Sequence, residues 1–156
     1  MLFRSFSFSG GTIVAGNGSS RFAQNGPPLI DIGQSSSVSG QSITITGGAQ
    51  IQNWGGEVKI GGSSSSIVIN GVSTIRSDTA TYTDPTPFSV TYSAPVYIGA
   101  NPNGPASPGA ATVSLTQATL TSNQGGVKVG VNSTSQVLSA FTDVNVSASA
   151  FEVFGS

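Results

Sequence analysis

Apolar and polar residues alternate in short runs along most of the chain, as in Ser42-Ile43-Thr44-Ile45-Thr46, Val58-Lys59-Ile60 and Val113-Ser114-Leu115. Alternation with a period of two places one set of side chains on each face of a β-strand, so each run reads as a short half-buried strand. Helical spacing is absent: Gly, Ser and Thr interrupt every stretch before apolar residues three and four apart can accumulate. The pattern predicts an all-β chain.

The runs share a local form: apolar, any residue, apolar, then Gly and a small polar stretch. It occurs at Ile13-Val14-Ala15-Gly16, Ile30-Asp31-Ile32-Gly33, Val58-Lys59-Ile60-Gly61, Val96-Tyr97-Ile98-Gly99 and Val127-Lys128-Val129-Gly130, with the glycines 17, 28, 38 and 31 residues apart. Residues 58–68 match residues 127–137 without a gap. A Gly after a strand supplies the positive φ of a tight corner, and further corners are marked by Asn25-Gly26, Gly47-Gly48, Asn70-Gly71, Gly55-Gly56 and Gly125-Gly126. Three strands and three corners in roughly 30 residues make one coil of a stacked repeat.

These features predict a right-handed parallel β-helix, or β-solenoid, formed by residues 1–156 as a single domain. The spacing of 17 reads as a shortened coil, and the spacing of 38 as a coil with a hairpin insertion at residues 78–94, turning at Asp84-Pro85-Thr86-Pro87. The competing architecture is an antiparallel β-sandwich or jelly roll, which also alternates and also turns on Gly. Met1 to Phe8 lacks the charged and apolar regions of a secretion signal, and Phe151-Glu152-Val153-Phe154 alternates like an unfinished strand. The chain therefore reads as a piece of a longer polypeptide.

Composition narrows the chemistry. Only 7% of residues are charged, against roughly 25% in an average soluble domain, so Ser, Thr and Asn carry the polar surface as in long-lived extracellular or cell-surface proteins. A net charge of -1 without a basic stripe argues against nucleic acid. The absence of Cys and His removes thiolate chemistry and mechanisms that use a histidine base. No apolar run has the roughly 20 residues of a membrane-spanning helix. No cofactor is expected, and no catalytic residue is assigned.

In the stacked register the middle residue of each motif points outward, so Val14, Asp31, Lys59, Tyr97 and Lys128 are predicted to form one exposed column. Asp31, Lys59, Tyr97 and Lys128 offer an acid, two bases and a ring with which to hold a sugar. The plainer reading is a solvated face whose ion pairs contribute about 0–1 kcal/mol. Trp54, Tyr82 and Tyr92 are the candidate aromatic platforms, set against a packing role at a corner and on the hairpin. Asp78 and Asp84 form the closest acidic pair in the sequence, without the run of alternating Asp and Asn that a calcium loop needs.

Residues 42–52 and 118–129 resemble coils of filamentous-haemagglutinin-like adhesins, the large β-helix proteins of two-partner secretion. Residues 96–104, with Asn101-Pro102-Asn103-Gly104, resemble the secretion segment of the same family, although Pro105 stands where that family has a large apolar residue. The resemblance implies a role for Asn101, Pro102, Asn103 and Gly104 in recognition by an outer-membrane transporter. The repeated strand-corner pattern and the charge-poor, Cys-free composition predict a non-enzymatic structural or adhesive module of a secreted or surface-exposed fibre, with glycans or a host surface as partner and self-association through the solenoid ends. The alternatives are a viral or phage structural subunit, of capsid or tail, and a solenoid that binds or cleaves polysaccharide.

Overall fold

The computed structural model of the chain describes residues 5–16, 28–33, 41–61, 66–79, 81–83, 89–91, 93–99, 112–130 and 138–153, and all regular structure among them is β. Five coils follow one another. The first carries β1 (Ser5–Ser9), β2 (Thr12–Ala15) and β3 (Ile30–Ile32); the second β4 (Ser42–Thr46), β5 (Gln50–Trp54) and β6 (Val58–Ile60). The third carries β7 (Ser66–Ile69), β8 (Thr74–Asp78), a hairpin of β9 (Thr81–Thr83) and β10 (Ser89–Thr91), and β11 (Val96–Ile98). The fourth carries β12 (Thr112–Thr116), β13 (Thr119–Ser122) and β14 (Val127–Val129); the fifth β15 (Leu138–Thr142), β16 (Asn145–Ala148) and β17 (Phe151–Val153).

Equivalent strands stack into three five-stranded sheets: β1-β4-β7-β12-β15 is sheet 1, β2-β5-β8-β13-β16 is sheet 2 and β3-β6-β11-β14-β17 is sheet 3. Every pair within them is parallel, whereas β9 and β10 pair antiparallel beside the stack. The molecule is a parallel β-solenoid with a hairpin inserted between β8 and β11. Parallel neighbours exclude the sandwich and jelly-roll alternative, whose sheets are built from antiparallel pairs.

The register turns alternation into columns. Ile45, Ile69 and Leu115 lie over one another inside sheet 1, Ile51, Ile75 and Leu120 inside sheet 2, and Ile60, Ile98 and Val129 inside sheet 3; all are fully buried. β-branched side chains suit this pleated packing, and full burial of each aliphatic residue is worth about 1.5–3 kcal/mol. At the ends, Phe6 stacks on Phe8 with ring centroids 6.5 Å apart, and Phe141 meets Phe151 edge-on at 6.4 Å.

Two kinds of corner explain how the coils close. Gly61 ends β6 at φ 66°, a left-handed conformation that glycine adopts without a Cβ penalty, and an added Cβ would also press on Ile67 Cδ1 at 2.5 Å. Between sheets 1 and 2 the second and third coils carry one residue more than the fourth and fifth. That residue is Gly48 in the second coil and Val72, at φ 63°, in the third. The left-handed region is costly for a β-branched residue. Val72 occupies it while 71% exposed, so no packing is gained in return.

The shared motif misleads in one place. Ile13-Val14-Ala15-Gly16 lies in β2, where Ile13 pairs with Ile51 and Val14 with Gln52, so Val14 belongs to sheet 2 and not to the Asp31 column. The 17-residue spacing separates two strands of one coil and is not a shortened coil. The reason is that an apolar-x-apolar-Gly string marks any strand ending at a tight corner and does not say which corner. The last rung of sheet 3 is instead Phe151-Glu152-Val153, which follows the same alternation without a Gly behind it.

Candidate functional site

The outward column of sheet 3 runs Asp31, Lys59, Tyr97, Lys128, Glu152, each paired in register with the next. Three-residue strands leave one outward position each, so a single column forms the whole outer face of these strands. Lys59 Nζ lies 2.8 Å from Glu57 Oε2, and Lys128 Nζ lies 3.1 Å from Glu152 Oε2. Tyr97 sits between the two lysines, half-buried; burial raises its phenol pKa, and the nearby Glu57 and Glu152 carboxylates raise it further. The column therefore places Asp31, Lys59, Tyr97 and Lys128 together and adds two acids, Glu57 and Glu152. Both added acids hold a lysine, which leaves the face close to electrically balanced.

A second cluster lies on the outer face of sheet 2. Gln52 pairs in register with Arg76, and Trp54 with Asp78, so four polar or aromatic side chains occupy two adjacent columns of β5 and β8. Arg76 grips Asp78 with Nε to Oδ2 at 2.6 Å and Nη2 to Oδ1 at 3.2 Å, and its guanidinium carbon lies 5.4 Å from the centre of the Trp54 ring. Gln52 Nε2 donates to Asp78 Oδ2 at 3.4 Å. The Asp78 side chain is only 6% exposed and that of Arg76 45%. The carboxylate raises the Arg76 pKa above its already high value, the shared hydrogen bond being the main cause.

Behind this face is a buried polar column. Asn53, Ser77 and Ser122 take inward positions in successive rungs of sheet 2 where aliphatic residues would otherwise stand. Asn53 Nδ2 donates to Pro28 O at 2.8 Å and Glu57 O at 2.7 Å, Ser77 Oγ donates to Gly56 O, and Ser122 Oγ to Ala94 O at 2.8 Å. Each side chain satisfies a carbonyl at the corner between sheets 2 and 3 and ties it to the strand that follows or precedes. The hairpin leaves the stack at this corner, just after Asp78, with Thr79 N donating to Asn123 Oδ1 at 2.7 Å.

Of the aromatic candidates, Trp54 belongs to the Arg76 cluster, Tyr82 lies on β9, and Tyr92 lies outside the described residues. Asn101, Pro102, Asn103, Gly104 and Asp84 also lie outside them. Asp78 is bound on both oxygens by Arg76. Sequence reasoning passed over Arg76, although Arg76 and Asp78 stand two apart in a strand, a spacing that puts both on one face. It also passed over Glu152 as a rung, because the motif was defined by its trailing Gly.

Both clusters bring hydrogen-bonding groups, an aromatic ring and charge together on an outer face. Among the described residues no group of three His, Cys, Asp or Glu side chains converges for a metal ion, and no helix is long and apolar enough to cross a membrane. No family model matches the chain, nor does any curated protein or solved structure at a significant level.

Proposed function

We propose that this chain is a non-enzymatic structural and adhesive module of a secreted or surface-exposed fibre. The observation that supports this reading most is the set of aliphatic columns that run unbroken through consecutive coils, closed by parallel sheets on three sides. Such a stack is stiff along its axis because each coil is held by its neighbours. The charge-poor surface, with Ser, Thr and Asn in place of charged residues, fits a long-lived extracellular fibre. The filamentous-haemagglutinin-like reading belongs here as the family whose coils the sequence resembles, with glycans or a host surface as its partner. Self-association through the ends is part of the same reading.

Limited proteolysis with a broad-specificity protease, followed by mass spectrometry, tests the structural half. Cuts are expected between the strands or in the hairpin, with residues 41–61 and 112–130 surviving together. Early cleavage inside β5, β8 or β13 overturns the rigid-fibre reading. A glycan array tests the adhesive half; a blank array together with turnover of a polysaccharide would replace adhesion with enzymatic activity.

A further inference from the structure

We propose that Trp54 and Arg76 form a binding subsite for an acidic sugar, a uronate unit of a polysaccharide, with the guanidinium taking the carboxylate and the indole taking the ring. The proposal gives the adhesive reading its ligand class and rests on it.

The case begins with what Arg76 has left to offer. A guanidinium carries five N–H donors in one plane. Its Nε and one Nη2 hydrogen go to Asp78, and the Trp54 ring holds the plane by cation–π contact. The side chain is nevertheless 45% exposed, so the remaining Nη hydrogens form its outer edge. Two parallel N–H donors on one rigid edge match a carboxylate bidentately.

The hidden partner decides the sign of the ligand. Asp78 has both oxygens bound by Arg76 and its side chain is 6% exposed, so it fixes the guanidinium from behind without offering an acceptor outward. The exposed edge offers two parallel, charge-assisted N–H donors, which favours a carboxylate over a single hydroxyl acceptor. Gln52 turns Nε2 toward Asp78, which leaves its Oε1 as the acceptor for a sugar hydroxyl. Thr74 on the same strand and Thr121 on the next rung, opposite Arg76, add hydroxyls on the flanks. The guanidinium already lies over the Trp54 ring and its free N–H edge is exposed, so a uronate whose carboxylate takes that edge sets its pyranose ring beside the indole.

The test uses the whole chain and three polymers: polygalacturonate, neutral dextran and polyglutamate, with affinity measured by calorimetry at low salt. Polygalacturonate is expected to bind, dextran not at all, and polyglutamate at least tenfold more weakly because it lacks the ring. Arg76→Lys keeps a cation for Asp78 but loses the planar fork and is expected to weaken polygalacturonate at least tenfold, as is Trp54→Leu. Thr121→Glu sets a competing carboxylate beside Arg76 from an outward position that carries no core packing, and is expected to do the same with an unchanged melting temperature. Ser114→Ala on sheet 1 is the control and keeps full binding. Equal binding of dextran or polyglutamate overturns the acidic-sugar assignment, and so does undiminished binding by Thr121→Glu. If the wild type binds none of the three but does bind a neutral glycan on the array, adhesion stands and this subsite falls.

Discussion

Ile69 in the third coil and Phe141 in the fifth belong to one column of sheet 1, through Leu115, yet Ile69 is fully buried and Phe141 is 40% exposed. The same contrast separates Val96 from Phe151 in sheet 3. Nothing in the strand itself makes the difference, since both coils alternate and both point apolar residues inward. A middle coil has a neighbour on each side and an end coil has one. Burial in a solenoid is thus a property of the stack: a side chain is fully enclosed only where a coil lies on each side of it.

The largest test of that contrast is truncation of each member of the column. Ile69→Ala removes a fully enclosed side chain whose neighbours cannot collapse in a rigid stack, and is expected to cost about 2–5 kcal/mol. Phe141→Ala removes more atoms but from a half-open site, and is expected to cost less, about 1–2 kcal/mol. Urea melts of the two variants check the order; a larger loss at Phe141 would mean that the ends and not the middle carry the fold.

Polar columns sharpen the comparison at smaller scale. Ser122 in the fourth coil is buried and donates to Ala94 O, while its rung partner in the fifth coil is Ala148. Ser122→Ala leaves the Ala94 carbonyl without that donor and is expected to cost about 1–2 kcal/mol, whereas Ala148→Ser adds a hydroxyl at a partly open position and should change little. Thermal denaturation of both variants measures the difference.

The corners bring a prediction of opposite sign. Val72 holds φ 63° at the added corner residue of the third coil, where Gly48 holds φ 75° in the second. Val72→Gly is expected to stabilise the chain by about 0.5–1 kcal/mol, the relief of left-handed strain exceeding the added freedom of the unfolded chain. A lowered melting temperature would mean that the 71% exposed valine makes a contribution its surroundings do not reveal.

Alternation and turn residues were enough to read the three-strand coil, the outward position of Lys59, Tyr97 and Lys128, and the antiparallel pairing of β9 with β10. Both signals are local, and a parallel coil repeats them in every layer. The assignment of Ile13–Ala15 failed because which sheet a strand joins depends on the length of chain between corners, and that length varies from coil to coil. The Trp54–Arg76–Asp78 cluster was half legible. Arg76 and Asp78 share a face by spacing alone, but Trp54 reaches them from the preceding coil through register that no local pattern encodes.

The smallest expected effect concerns the middle rung of sheet 3. Tyr97 lies between Lys59 and Lys128, whereas Glu152 lies at the end of the column, and the phenol pKa is raised by burial and by the two carboxylates. The folded state therefore holds the phenol proton more tightly than the unfolded chain does. That preference is in place below the ordinary phenol pKa of about 10, and stability is lost as pH rises above it toward the higher folded value. Tyr97→Phe removes the ionisable group, so its unfolding free energy is expected to fall less between pH 9 and 11 (about one unit either side of the ordinary value) than that of the parent chain. An identical slope for the two proteins would mean that the phenolate is accommodated in the column as readily as in water, and that the middle rung is no more closed than the ends.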